Sequence, residues 1–550
     1  MSQQVGTRYE RELRKLRIQP IYLLEFEGIS TRFSTAPIRN ELGETKQYLT
    51  VPQGAGSQIT PDEGRASLGS MTFSLLDYNT EITYLAFLYQ LGNRIVTLKQ
   101  GFPELDESDY VLVYTGRVLD YTLISDNVYW QFQVVNLLKD ERKDIFRAFT
   151  KLTAPATDVA VTLTVESTAL FPTATAGVLY LKIDDEVISY TGKTMTTFTG
   201  CSRGQLGTVA AAHSTDAQVV NLVRLSGNPL TLALQILTST GDGTNGTYDV
   251  LPACAGLSID QDSIDVARFE SERDRWVTDV TFLFEETEKV NGKVFLEEQI
   301  YTFSNAYPTT TNEGKISVKV YSPPLPSSIA EPLDDDTLIG PPSYQGNVLE
   351  RYFFNEVDAS YDWDFLTQTF LSRSLYENTA SQTEFGSASN PEIRTRTFAS
   401  RGMRTATTGQ SRINRVFERF LRRFSVPSPI LGARAFFSKR LLESGDVLPL
   451  TSAFIPNLAT GRMGIDSMLV EVISASPDYN QATQGYMLLN TGYSYGRKYA
   501  AISPSSAPPI NFPVWSAATP AQRNYAFISR EVSPTVGVMS DGSPGYSITD

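Results

Sequence analysis

This chain of 550 residues contains one histidine, His213, and two cysteines, Cys201 and Cys254. Each scarcity excludes a class of chemistry. Two thiols cannot build a disulfide framework or a four-thiolate metal site, and the chain reads as one that matures in a reducing compartment. One imidazole leaves any Ser–His–Asp or Cys–His site a single possible base. No apolar run approaches the ~20 residues that cross a bilayer, so stable membrane insertion is not expected. The opening stretch, MSQQVGTRYERELRKLRIQP, is charged and lacks the apolar core of a signal peptide. Positive charge is in deficit as well: 47 Lys and Arg stand against 61 Asp and Glu, a net charge of −14. Such a surface repels nucleic acid. That excludes an ordinary DNA-binding protein but not a conduit, because repulsive walls do not trap a polyanion.

What is present is mostly strand-like. The length implies roughly three to five domains. IQPIYLLEFEG, GSMTFSLLDYN, RIVTLKQGF, YVLVYTGRVLDYTLI and NVYWQFQVVNLL are rich in β-branched and aromatic residues and bounded by turn formers. Residues 1–150 therefore read as a largely antiparallel β-domain, with a short helix over Tyr9–Arg17 and a hairpin turn at SDN before Val128. Residues 151–222, rich in Thr, Ala and Val, read as a small all-β insert, and 223–324 as an intermediate α/β region. In the latter, NPLTLALQIL is a helix with Pro229 in its first turn, while DRWVTDVTFLFEE, GKVFLEEQIYTFS and GKISVKVYSP are strands. The Pro/Ser/Asp-rich stretch 325–346 reads as a linker, 347–503 as a second strand-rich domain and 504–550 as an extended arm. SRINRVFERFLRRF is the clearest helix: Ile413, Val416, Phe417, Phe420, Leu421 and Phe424 form one stripe. Arg412, Arg415, Arg419, Arg422 and Arg423 lie largely off it, as a solvated face or a subunit contact. Segments 110–138 and 466–492 echo each other faintly, each giving strand, turn, strand and ending near Asn136 or Asn490.

Candidate chemistry is sparse. His213 lies twelve residues beyond the Cys201 of a Gly–Cys pair, in turn-forming sequence, and reads as a polar loop residue; Cys201 reads as a small buried apolar side chain. Asp184, Asp185 and Glu186 lack the spacing of a calcium loop and read as a solvated edge or turn. Asp334–Asp336 read as a solvated charge run. GDGTNG, Gly241–Gly246, lacks the Lys and Ser/Thr of a phosphate loop and follows a helix instead of preceding one. No spacing singles out a carboxylate pair for glycoside hydrolysis. No catalytic, cofactor-binding or metal-binding residue is assigned, and no cofactor is expected.

One pattern is more specific. IDDEVISYTG, then FTGCSRGQLGTVAAAHSTDAQV, resembles the small β-insert of tail-tip and baseplate hub proteins of tailed bacteriophages, with its Ile-Asp-x-Glu strand, Gly-Cys-x-Arg-Gly, Gly-Thr and Ala-Ala-His. GNPLTLALQILTSTGDGTNGTYDVLP is similar to the hub segment that follows it. GDVLPLTSAFIPNLATGRMGIDSMLVEVISASPD with LLNTGYSYGRKYAAISP resembles the C-terminal tube-like domain, and YTGRVLDYTL the N-terminal one. The resemblance covers most of residues 10–505. It implies a mainly β fold with some α: two tube-type β-barrel or sandwich domains, the insert, the intermediate region and the arm. It implies a non-enzymatic virion structural protein, made in the host cytoplasm and built into the tail tip or baseplate. In this reading a homotrimer of paired domains forms a symmetry adaptor from a sixfold tube to a threefold spike or fibre and lines the DNA ejection channel. The implied partners are the tail-tube protein, the distal tail protein, the central spike or fibre and the tape-measure protein. Sheet augmentation around the lumen would hide strand edges. Trp515, Tyr525 and Phe527 of the arm would wrap a neighbour or pack locally. Some related tip proteins carry an iron–sulfur cluster on several cysteines; two cysteines imply none here. The alternative is a tail enzyme, or a receptor- or carbohydrate-binding tail protein, acting on the host envelope through the insert.

Overall fold

A computed structural model describes residues 6–15, 18–54, 56–124, 128–135, 144–146, 148–173, 179–274, 279–285, 290–311, 315–321, 330–345, 352–457, 462–490, 500–502, 527–529 and 545–547. The chain is mainly β with some α. Each sheet is an open path, and none closes on itself among the described residues.

The N-terminal sheet is built around β1 (Ile21–Phe26), β4 (Met71–Leu76), β5 (Ile95–Gly101), β6 (Val111–Ile124) and β7 (Tyr129–Val135), with the hairpin β2 (Ser57–Thr60) and β3 (Arg65–Leu68) leaving it. Its order runs β1-β5-β6-β7-β4, and short strands Thr45–Lys46 and Gln53–Gly54 end it. Alternation sends Met71, Phe73 and Leu75 into the core from one face of β4. Helix α1 (Thr7–Leu13) lies over this core through Tyr9, whose ring is 5.2 Å from Phe102. Helix α2 (Glu81–Tyr89) connects β4 to β5.

The sheet of the insert runs in the order β8 (Phe149–Lys151), β11 (Gln218–Gly227), β9 (Leu179–Ile183) and β10 (Glu186–Tyr190). A second small sheet of Thr162–Thr164, Thr197–Thr199 and Gly192–Lys193 completes it, with Ile188, Tyr190 and Phe198 in its core. β11 does not stop at residue 222. Its second half pairs with β12 (Val280–Glu285) in the intermediate region.

The intermediate region contributes α3 (Pro229–Thr238), started by the Asn228 side chain accepting from the Leu230 N–H, to the largest core, which α4 (Gln410–Phe424) also enters. All six residues of the α4 stripe are buried. GKVFLEEQIYTFS is a correction: Gly292–Ser304 is helical, not a strand. Asn291 caps it by accepting from the Val294 N–H, and Leu296, Ile300 and Phe303 at i, i+4 and i+7 are buried.

The C-terminal sheet runs in the order β13 (Leu333–Asp334), β16 (Val447–Asn457), β17 (Arg462–Asp478), β18 (Thr483–Asn490), β15 (Ile430–Phe436) and β14 (Ser343–Gln345). The described part of the linker-like segment, 330–345, thus lays two short strands along this sheet. The β2–β3 hairpin crosses over and joins it, with Ser474 opposite Gln58 and Ala475 opposite Ser57.

The faint echo in the sequence is a repeat in register. β5-β6-β7-β4 and β16-β17-β18-β15 have the same order and the same antiparallel senses, with the first strand of each four lying beside the last. Three matched pairs fix the register: Leu76–Tyr129 with Phe436–Thr483, Ile124–Tyr129 with Asp478–Thr483, and Ile95–Arg117 with Val447–Glu471. Both long strands bulge at the same place. Leu119 in β6 and Ile473 in β17 are skipped, each five residues before the pair that closes its hairpin. A second irregularity falls beside Tyr114 in β6 and beside Met468 in β17. The SDN turn and Asn136 lie outside the described residues; Asn490 ends β18.

Candidate functional site

The only histidine and the acidic triplet do meet. β9 and β10 form a hairpin closed by Ile183 opposite Glu186, with Asp184 and Asp185 as its turn. Asp184 takes φ +53°, a left-handed conformation that aspartate tolerates better than most residues. His213 forms a two-way backbone bridge with Ala156, at 2.8 and 2.9 Å, which places its ring inside. Its Nδ1 then lies 2.8 Å from Asp184 Oδ2 and its Nε2 2.8 Å from Glu186 Oε2. Arg203 forks onto Glu186, with Nε donating at 2.8 Å and Nη2 at 2.5 Å, and Nη2 also donates to the Ala211 carbonyl at 2.6 Å. The N–H groups of Gly204 and Ala211 donate to the same carboxylate at 2.9 and 3.1 Å. Burial works against the charge on Glu186. The Arg203 guanidinium, the two backbone N–H groups and His213 outweigh it and hold the carboxyl below its ordinary range.

Two expectations are corrected here. His213 is buried, not a polar loop residue, and Glu186 is buried, not part of a solvated edge; only the Asp184–Asp185 turn is at the surface. The reason is mutual: a buried carboxylate needs charged and N–H donors, and the loop 203–213 supplies four. Sequence reading missed Arg203 as the central partner, although it stood in the Gly-Cys-x-Arg-Gly pattern. Four polar residues of the motif, Asp184, Glu186, Arg203 and His213, form one network.

The network is poorly built for catalysis. Both ring nitrogens face carboxylates, so neither is available to take a proton from a nucleophile. Burial pushes the Cys201 thiol up to about 11, so it stays protonated at neutral pH and is a weak nucleophile. Burial does the same to Cys254, whose sulfur accepts from Asn221 Nδ2 at 3.3 Å.

The other candidates resolve in the same direction. In GDGTNG the N–H of Asn245 donates to Asp249 Oδ2 at 3.0 Å and that of Thr244 to Asp242 Oδ1 at 3.0 Å, so the loop's own carboxylates occupy its donors. Asp335 and Asp336 are exposed, as in a solvated charge run, while Asp334 and Asp335 also accept from the N–H groups of Thr337 and Ala453, both at 2.9 Å. Arg423 is a further correction, buried instead of solvated. It pairs with buried Glu471 of β17 at 2.5 Å and lies 3.5 Å over the Tyr321 ring. Trp515 and Tyr525 fall outside the described residues, and Phe527 opens a short strand, Phe527–Ser529, that pairs with Ala500–Ile502. No helix among the described residues is long and apolar enough to cross a membrane.

No family model matches the sequence, and no curated protein matches it. Among solved structures, the chain is similar to the 43 kDa tail protein of prophage MuSo2 from Shewanella oneidensis, at 9% identity over 86% of this chain and 99% of that one, with a TM-score of 0.40. It is also similar to a tail protein from Neisseria meningitidis MC58, at 10% identity, 86% and 97% coverage and a TM-score of 0.38. A third is prophage tail protein gp18 from Listeria monocytogenes EGD-e, at 9% identity, 86% and 94% coverage and a TM-score of 0.36. Likenesses of this depth do not assign the chain to a family.

Proposed function

We propose that this chain is a non-enzymatic structural subunit of a phage tail, a hub whose three copies present six similar sheets. In this reading it adapts a sixfold tail tube to a threefold spike or fibre and surrounds the path of the DNA. The observation that carries the reading is the in-register repeat of β5-β6-β7-β4 by β16-β17-β18-β15. A chain that presents the same backbone surface twice imitates a sixfold ring with three copies. The motif in the insert, the hub-like segments around it and the net charge of −14 support the same reading. Negative walls let a polyanion slide without adhering. The tail-tube, distal-tail, tape-measure and spike or fibre proteins would be its neighbours.

The buried Glu186–Arg203–His213 network belongs in this reading to the stability of a decorating module. Electron microscopy of the particle is the test. Three copies around the tail axis, with their six sheets near 60° spacing, are expected. A single copy, or two sheets of each chain at unrelated radii, would refute the proposal. Purified chain should also release no fragments from host envelope preparations; turnover there would favour the tail-enzyme alternative.

A further inference from the structure

A gap remains where the β2–β3 hairpin leaves the N-terminal sheet and joins the C-terminal one. It is a cavity of about 130 Å³ between the hairpin, Val113–Thr115 of β6, the strand Ala306–Thr310 and the connection 437–446. Every residue of its wall is among the described ones. The wall has two kinds of surface. Val113, Phe437 and Leu442 bring apolar side chains, while Arg440 and Gln484 bring polar ones that are short of partners.

The Arg440 guanidinium donates through Nη2 to the Tyr9 hydroxyl and lies 5.2 Å over its ring. Its Nε is shut off from solvent and has no hydrogen-bond partner. No carboxylate lies within 4.0 Å of the guanidinium among the described residues. Tyr9 is no counter-ion, because burial pushes its hydroxyl up to about 12 and keeps it neutral. Gln484 is 3% exposed, and its amide makes no hydrogen bond among the described residues. A half-buried cation without a counter-ion and a buried amide without a partner both lose hydration that these neighbours do not replace.

The remaining polar groups of the wall are already engaged. The Ser57 and Ser444 hydroxyls are 2.7 Å apart, and Ser444 Oγ donates to the Ser57 carbonyl at 3.1 Å, so the pair uses its own hydrogens. Glu443 is held by buried Lys319, whose Nζ lies 2.8 Å from Glu443 Oε2 and 2.9 Å from Asp446 Oδ1. Two carboxylates on one ammonium leave one net negative charge beside the cavity. That charge opposes a doubly charged phosphate more than a single carboxylate, which matches the one open guanidinium.

We infer that this cavity binds a small organic monocarboxylate, with its carboxylate on Arg440 and Gln484 and its apolar body against Val113, Phe437 and Leu442. A cavity of roughly 150 Å³ holds benzene, so one ring or a short branched chain is the size that fits. Such a ligand touches both halves of the chain and fastens them where the hairpin crosses. The inference does not depend on the hub reading.

The test is isothermal titration calorimetry of the full chain with sodium benzoate at constant ionic strength. One site per chain is expected, with a Kd of about 1 mM or tighter. Tm should rise with benzoate concentration. Inorganic phosphate titrated in the same way should give no saturable heat. Arg440→Gln removes the charge and should weaken benzoate binding about tenfold or more. Gln484→Leu should weaken it about threefold or more. Arg440 also holds Tyr9, so circular dichroism checks that Arg440→Gln is folded. Should it misfold, Arg440→Lys takes its place: it keeps the charge, loses the Nε donor and should weaken binding about threefold or more. No saturable benzoate binding, variants that bind it like wild type, or phosphate bound as tightly as benzoate would each overturn the inference.

Discussion

The N-terminal and C-terminal repeats share every matched strand pair and both bulges, yet their interiors are filled differently. At the position of Phe73 in β4 the second repeat has Ala433 in β15; at that of Leu75 it has Ala435; at that of Phe132 in β7 it has Tyr486 in β18. The first core is a stack of rings, with Phe73 and Phe132 5.1 Å apart and Phe26 5.6 Å from Phe132. The second is aliphatic, around Leu431, Leu448, Leu450 and Leu488. The ladder of backbone hydrogen bonds sets the outline of each sheet and tolerates wide exchange of side chains behind it, provided volume is conserved across the layer. What has not been exchanged is the placement of the bulges, which set strand twist and so the curvature of the surface each repeat presents.

The largest break in the comparison lies at the position shared by Arg117 and Glu471. In the second repeat Glu471 is buried and paired with Arg423 of α4; in the first, Arg117 is only half-buried and reaches Asn93. Glu471→Ala strands the Arg423 guanidinium and should cost about 3–5 kcal/mol in urea denaturation. Arg117→Ala should cost less than about 1 kcal/mol by the same measurement. Equal losses would mean that the two positions are not distinguished by burial. Next come the cores. Phe73→Ala should lose about 3–5 kcal/mol through the cavity it leaves. The reverse exchange, Ala433→Phe, should cost about 1–3 kcal/mol by overpacking, visible as a lower Tm. A harmless Ala433→Phe would show the second core to be loosely filled.

The insert sharpens the contrast from outside, because its stability hangs on a charge. The folded Glu186 carboxyl lies below its ordinary value of 4.5, so its contribution is present above that value and is lost as pH falls through the folded one. Thermal unfolding of the insert should therefore drop in acid below about pH 4.5, and Glu186→Gln should flatten that dependence. The smallest effect is expected at Cys201, where replacement by alanine removes one sulfur from a packed interior. It should cost about 1 kcal/mol, and the wild-type thiol should resist alkylation at neutral pH.

Much of this was legible in the sequence, and what was not has physical causes. The α4 stripe and the Asn228–Pro229 start of α3 were readable because amphipathic periodicity and capping are local. α2 was passed over because ITYLAFLY has no polar face and so no period, and it is set between two strand-like runs. Gly292–Ser304 read as a strand because Val, Phe, Ile and Tyr favour strands intrinsically, whereas its tertiary partners reward helical spacing. The repeat left only an echo, since hydrogen-bond register is a property of the backbone and the facing side chains have diverged. The residues around Glu186 were all in view as a motif, but positions up to 29 residues apart become partners only when a strand, a turn and a loop converge.

β11 deserves one last consequence. A single uninterrupted strand serves the insert with its first half and the body of the molecule with its second, through β12. A tug on the insert along that strand loads the rungs from Leu222 to Gly227 together in shear, where peeling would break them one at a time. The module is thus joined to the body through one continuous strand, with its load shared among those rungs.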